Sequence, residues 1–318
     1  MRLRRSDPAG PGITRRRAGK SFRYLSPEGE RIDDPAELAR LKALVIPPAW
    51  SQVWICPAAN GHIQATGMDA AGRRQYLYHP AWREQRDRVK FDRALELASA
   101  LPSARRFVTR ALTSDVLPTR QRALAASFRI LDLASLRVGS EQYAADNGSH
   151  GLSTLLCSHV TIHGDAIRLE FPGKSAQLWE STVVDSDLAS ALGTMRRRRS
   201  GRLLAWRDEA GWHPLSAAEI NDYIRERTRG DFTAKDFRTL HGTIVAARSL
   251  QRSGPANTAS ARTRNIARAM RDVADELGNT AAVARSSYVD PRVIDRYRDG
   301  EVIAATGSPE RALRALLS

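Results

Sequence analysis

Near Pro80 the apolar residues of this chain change their spacing, and that change limits it to folds in which a sheet part is followed by a helical part. Before it, "SFRYL", "SPEGERI" and "VWICPAANGHIQATGMDAAGRRQYLYH" alternate short apolar runs with Gly and Asn-Gly turn signals, the pattern of antiparallel strands. One segment breaks the alternation. In "DDPAELARLKAL", Asp33 or Asp34 can cap a helix, Pro35 fits its first turn, and Leu38, Leu41 and Leu44 recur at helical spacing. Beyond Pro80, "AWREQRDRVKFDRALELASALPSARRFVTRAL" and "TRQRALAASFRILDLASL" put apolar residues on one face and arginines on the other.

The later part is not all helix. "HVTIHGDAIRLEFPGKSAQLWESTVV" returns to period two, with Val160 and Ile162, then Ile167, Leu169 and Phe171, then a third run. Its turns are His163-Gly164-Asp165 and Pro172-Gly173, which places Lys174 at a hairpin tip. Ser216 and Glu219 form a capping box, Gly230 stops that helix, and Thr233 starts another carrying Lys235, Arg238 and His241 on one face. "SLQRSGPANTASARTRN" reads as a mobile connector before a helix with the stripe Ile266, Met270, Val273 and Leu277, ended by Gly278. The expected fold is α+β. Residues 1–19 are a flexible basic arm, 20–88 a small antiparallel β-rich domain, and 89–318 a larger, mainly α-helical domain with a small three-stranded sheet.

Charge constrains what such a chain can act on. Its 318 residues carry 50 Lys+Arg against 35 Asp+Glu, a formal +15, and most of the cations are Arg, whose planar fork suits phosphate. A polyanion is the expected partner. The run from Arg196 to Arg199, with Arg202, reads as a solvated surface that gathers DNA without choosing sequence. Cys56 and Cys157 are too few and too far apart for a zinc pattern or a disulfide framework, which points to a reducing, cytoplasmic setting; nucleoid association would follow from the charge. No window approaches the roughly 18 consecutive apolar residues of a membrane span, and "MRLRRSDPAGPGITRRRAGK" lacks the apolar core of a secretory signal.

Four segments carry candidate chemistry: Arg137 in "LRVGSE", Lys174 in "FPGKS", Arg238 in "KDFRTLHGT" and Tyr288 in "LGNTAAVARSSYVDPRVIDRY". A tyrosine hydroxyl, with an ordinary pKa near 10, is a poor nucleophile at neutral pH unless its phenolate is stabilised. Two arginines can do that, and can also hold the extra charge on a phosphorane, without a metal. Loss of a 5′ alkoxide needs a proton donor, which a lysine on a hairpin tip can bring. A phosphotyrosyl ester conserves the energy of the broken bond, so resealing needs no ATP, and the chain has no GxxxxGK[ST] loop. No cofactor is implied. Taken singly, these residues have plainer explanations: a solvated turn lysine, a surface arginine, a half-buried tyrosine.

In combination they resemble a known family. From about Phe22 to Tyr297 the chain is similar to type IB DNA topoisomerases of the compact bacterial and poxvirus group. The resemblance rests on "IPPAWSQVWICPAANGHIQATGMDAAGRRQYLYHPAWREQRD", "SLRVGSEQYAADNGSHGLSTL", "FPGKS", "KDFRTLHGT" and "LGNTAAVARSSYVDPRVID", which follow in the family's order. It implies that Arg137 and Arg238 are transition-state arginines, Lys174 the general acid, Lys235 a further active-site lysine, and Tyr288 the nucleophile that becomes linked to a 3′ phosphate. The poxvirus pattern has a histidine nine residues before the nucleophile, where this chain has Asn279. Asn279 could give an amide hydrogen bond to a nonbridging phosphate oxygen, or cap the next helix.

The same resemblance places Gln75, Tyr76 and Tyr78 in the major groove, with Gln75 suited to adenine, and Tyr143 near the scissile phosphate. Alternation alone says only that Tyr76 and Tyr78 share a face, which could equally pack inward. His241 is left out of the site, as a packed or exposed histidine. The implied enzyme is a monomer without cofactor or metal that closes on duplex DNA as a C-shaped clamp, nicks one strand, allows rotation and reseals. Tyrosine recombinases share the Arg, Lys, Arg, Tyr chemistry but usually have a histidine where Lys235 stands. A basic DNA-binding protein with an inactive site is the remaining alternative.

Overall fold

The structure is a computed structural model that describes residues 2–19, 21–174, 177–196 and 200–318. Arg197, Arg198 and Arg199 of the basic run therefore lie outside the described residues. The chain divides into two units, Met1–Val89 and Lys90–Ser318.

In the first unit, β1 (Ile13–Ala18), β2 (Ser21–Leu25), β3 (Ser51–Ile55), β4 (Ile63–Met68) and β5 (Arg74–Tyr78) form an antiparallel sheet in the order β2-β1-β3-β4-β5. Helix α1 (Pro35–Ala43) is capped by Asp34, whose carboxylate accepts from the Glu37 amide, with Pro35 in the first turn. Its Leu41 joins Ile13, Val53, Ile55 and Ala65 in a separate small core.

The structure corrects the flexible arm. Residues 13–18 are strand β1, and the segment before them is tied down as well, through the Arg4 amide to the Asn60 carbonyl and the Ser6 amide to His62 Nδ1. The arginines of "ITRRRA" hid a strand whose Ile13 points inward. Arg15 leaves the sheet to donate to the carbonyls of Ile46, Pro47 and Trp50, and its guanidinium lies 4.1 Å from the centre of the Phe22 ring.

Helix α2 (Pro80–Thr113) begins before the second unit and runs into it, followed by α3 (Arg120–Ala134) and the short, wholly unburied α4 (Glu141–Asn147). The period-two segment forms the expected small sheet of β6 (Val160–His163), β7 (Ala166–Pro172) and β8 (Leu178–Val184), with Val160, Ile167, Leu169 and Phe171 turned into the core. Next come α5 (Ser186–Arg196), a hairpin of β9 (Ala205–Asp208) and β10 (Gly211–Pro214), and α6 (Ala217–Thr228), which has the Ser216–Glu219 capping box.

The last five helices are α7 (Ala234–Ser253), α8 (Ala259–Leu277), α9 (Ala281–Ser287), α10 (Pro291–Arg298) and α11 (Pro309–Leu317). Phe128 on α3 meets Phe237 on α7 and Tyr223 on α6 edge-on, with ring centres 5.2 and 6.4 Å apart, and these rings sit in the second unit's main core. The segment read as a mobile connector is mostly helix. Helix α7 continues to Ser253, and Thr258 caps α8 by accepting from the Ala261 amide. The Tyr297 hydroxyl donates to the Gly254 carbonyl between them and accepts from Asn265. Polar composition disguised helix ends held by side-chain hydrogen bonds.

Candidate active site

Helix α7 carries the centre of the site. Thr233 caps it, its amide and hydroxyl both donating to the Asp236 carboxylate, which fixes the first turn bearing Lys235 and Arg238. Arg238 is only 3% exposed. A buried guanidinium must find acceptors, and here they are backbone carbonyls: Nη1 donates to Ser135 at 2.5 Å and Nη2 to Leu277 at 2.8 Å. Its Nε–H is buried without an acceptor among the described residues.

Tyr288 ends α9, where its amide donates to the Ala284 carbonyl. Its backbone is pressed against α7. The Thr243 hydroxyl donates to the Tyr288 carbonyl at 3.1 Å and accepts from the Asp290 amide at 3.2 Å. Gly242 makes the approach possible, since a Cβ there would stand 2.8 Å from the Tyr288 carbonyl oxygen and 2.9 Å from its Cβ. The Arg238 guanidinium lies 5.1 Å from the centre of the half-buried Tyr288 ring. Burial alone pushes the phenol up, but the positive charges of Arg238, Arg137 and Lys235 outweigh it and hold the group below the ordinary tyrosine value. Arg238 in turn is lowered by burial and by the nearby charge of Arg137, with Tyr288 acting in the opposite direction.

Arg137 follows α3 in a loop held by two backbone bonds, from the Leu152 amide to the Arg137 carbonyl and from the Ser153 amide to the Val138 carbonyl. Two glycines permit this contact: Gly139 has φ +92°, and a Cβ on Gly151 would stand 2.6 Å from the Gly139 backbone. Arg137 Nη2 donates to Asn279 Oδ1 at 2.7 Å. Gly278, with φ +57°, turns the chain at the end of α8 and sets Asn279, whose amide bonds the Ala274 carbonyl. Asn279 Nδ2 points to the Leu277 carbonyl at 3.3 Å, so the side chain orients Arg137 and holds the end of α8. Thr280 caps α9 instead, accepting from the Val283 amide, which overturns the alternative reading of Asn279 as a cap.

The structure thus gathers Arg137, Arg238, Lys235, Asn279 and Tyr288. Lys174 stands exposed on the tip between β7 and β8, its side chain making no hydrogen bond or ion pair among the described residues. The strand beside that tip is nonetheless fixed to the site: the Trp179 ring, at the start of β8, lies 6.0 Å from the Arg238 guanidinium and fills the space where a Cβ on Gly278 would go. Tyr143 is 51% exposed on α4 and makes no hydrogen bond with the other site residues among those described.

Tyr76 and Tyr78 do share a face of β5, and it is the outer one. They are 42% and 37% exposed, with rings stacked 6.0 Å apart. Gln75 is on the opposite face and donates to Asp69 Oδ2 at 2.9 Å. Sequence reading missed Ser135, Gly242, Thr243 and Trp179 and set His241 aside. Only Gly242 left a trace, as a glycine inside an otherwise helical pattern.

Comparison with known proteins identifies what the chain is similar to as a whole. Residues 79–304 match the family described as "Eukaryotic DNA topoisomerase I, catalytic core", and residues 21–69 match "Bacterial DNA topoisomerase IB, N-terminal domain". A DNA topoisomerase 1B from Acanthamoeba polyphaga mimivirus is 29% identical over 299 residues, which are 91% of this chain and 88% of that protein. A DNA topoisomerase 1 from Mycosarcoma maydis is 26% identical over 262 residues, covering 72% of this chain and 24% of that protein.

Proposed function

The chain belongs to the type IB DNA topoisomerases, and from that premise we propose that it relaxes supercoiled duplex DNA by transient cleavage of one strand through Tyr288. The phenolate of Tyr288 attacks the scissile phosphorus, the phosphorus–oxygen bond to the 5′ sugar oxygen breaks, and a 3′-phosphotyrosyl ester forms. Lys174 gives its proton to the departing 5′ oxygen. Rotation of the freed end releases torsion, and attack by the 5′ hydroxyl reverses the step, its proton returning to Lys174 and the Tyr288 phenolate leaving, without ATP or metal.

Arg238 and Arg137 stabilise the charge that gathers on the nonbridging oxygens, with Lys235 adding to the positive potential. The free Nε–H of Arg238 is a donor suited to such an oxygen. Asn279 serves by aiming Arg137. Tyr76 and Tyr78, exposed on β5, are proposed to meet the DNA groove, and Tyr143 to lie against the backbone near the break. For Gln75 to read a base it must first release Asp69. The proposed setting is a cytoplasmic, nucleoid-associated monomer; no helix among the described residues is long and apolar enough to cross a membrane.

The observation that carries this reading is a tyrosine whose phenol is held down by three cations brought together from two segments, Arg137 after α3 and Lys235 with Arg238 on α7. Plasmid relaxation in EDTA tests it. Wild type should relax supercoiled circles and Tyr288→Phe should not. Peptide mapping of the denaturant-trapped adduct should find the 3′ DNA end on Tyr288. Activity that EDTA abolishes, or an adduct on another residue, would refute the proposal.

A further inference from the structure

Arg238 is gripped on one side by a residue in an unusual conformation. Ser135, whose carbonyl accepts from Nη1, is the C-cap of α3 with φ 54° and ψ 30°, the left-handed region that L-residues other than Asn and Asp adopt reluctantly. Something must over-determine that backbone. One hold is the side chain of His241, one turn beyond Arg238 on α7, whose Nδ1 is 2.7 Å from the Ser135 hydroxyl. Neutral imidazole offers one acceptor and one donor, so the bond forms in either tautomer. Burial pushes His241 below the ordinary histidine value; Asp132 and Glu310 oppose that shift while Arg105 and Arg238 add to it.

The other hold lies on the same turn of α3. Asp132, 8% exposed, accepts from Arg105 Nε at 2.8 Å and Nη2 at 2.9 Å. Arg105, on α2, also donates to Glu310 Oε1 at 2.6 Å, and Ser308 donates to Glu310 Oε2. Glu310 is 7% exposed and belongs to α11, which follows Tyr288 in sequence. The cleavage chemistry proposed above uses none of these groups, yet Arg105, Asp132 and Glu310 act on His241 through their charges, and Asp132 ties the last turn of α3, just before Ser135, to α2 and α11. A buried ion cluster with every carboxylate paired holds one geometry, whereas an apolar filling would tolerate several.

We propose that His241 is a positioning residue for strand cleavage, holding Ser135 so that its carbonyl fixes Arg238 beside Tyr288, and that Glu310 of α11 backs the same hold through Arg105 and Asp132. The inference rests on Tyr288 being the nucleophile.

The test is single-turnover formation of the covalent adduct at saturating duplex, with duplex Kd measured separately. His241→Leu should slow adduct formation about tenfold or more and leave Kd within about twofold. Ser135→Gly, which removes the hydroxyl yet suits the left-handed backbone, should do the same. His241→Asn, whose amide can stand where Nδ1 stands, should regain most of the rate. Glu310→Gln should slow the step by about threefold or more. The deciding measurement is His241→Leu in an Arg238→Ala background, where little further loss is expected because the effect runs through that guanidinium. Losses that multiply there, or wild-type rates in His241→Leu and Ser135→Gly, overturn the proposal. Should thermal melting show His241→Leu unfolded, Ser135→Gly decides alone. A wild-type chain that forms no adduct sinks the assignment of Tyr288 instead.

Discussion

At the scale of single residues, the site is governed by how closely backbones approach. Gly242 costs α7 about 1 kcal/mol relative to alanine in an ordinary helix, and its reward is the seat of Tyr288. Adding a methyl group puts carbon 2.8 Å from the Tyr288 carbonyl oxygen, so the α9 end must retreat. Gly242→Ala should therefore lower adduct formation about tenfold or more, although alanine is the better helix former. Rates near wild type would show that the approach is slack. Charge gives a second prediction at this scale. With Arg238→Ala the largest lowering influence on Tyr288 is gone while part of its burial remains, so the phenol must titrate at higher pH than in wild type. Phenolate absorbance, taken as the difference between each protein and its Tyr288→Phe partner, reads this directly; an unchanged midpoint would mean that Arg137 and Lys235 suffice.

At the scale of elements, what could be read in advance was what is encoded locally. Thr233, Ser216 with Glu219, the Asp33-Asp34-Pro35 run, and Gly278 each mark a helix end through bonds spanning a few residues, and all four ends form, with Asp34 as the cap of α1 and Asp236 as the partner of Thr233. Strand β1 forms a local hairpin with β2, from Thr14 opposite Leu25 to Ala18 opposite Ser21, but was hidden because its arginines mask the alternation and what settles them is distant in sequence: Ile13 lies opposite Ile55, and Arg15 is satisfied by carbonyls of the loop after α1. The hold on Arg238 was hidden for the same reason, since Ser135 and Leu277 contribute only their carbonyls, which carry no side-chain signature. Gly278 joins the local and distant cases. Alanine there meets both a left-handed backbone and the Trp179 ring 2.8 Å away, so Gly278→Ala should cost about 1–2 kcal/mol of stability. It should also slow cleavage, because Asn279 and Trp179, beside the tip that carries Lys174, meet at that point. Denaturant melts and adduct formation together check it, and lost stability with an unaltered cleavage rate would confine Gly278 to capping.

At the scale of the whole molecule, the two units have separate cores, and among the described residues the hydrogen bonds around Tyr288 lie in the second. Because α2 starts at Pro80, the natural cut falls before that residue and not at the boundary after Val89. A chain of residues 80–318 keeps the nucleophile, both arginines, Lys174 and the support behind Arg238, and should form the covalent adduct. What it should lose is grip. Each phosphate neutralised by Lys or Arg steepens the fall of binding with salt by about 0.9 in the slope of log K against log salt concentration. The full chain, with its formal +15, should therefore lose affinity steeply as salt rises, and the fragment should show weaker binding with a shallower slope. The difference in slope, divided by that factor, counts the phosphates touched by the first unit. Equal slopes would mean that the sheet bearing Tyr76 and Tyr78 contributes no phosphate contact, and a fragment that folds without forming adduct would place an essential part of the chemistry before Pro80.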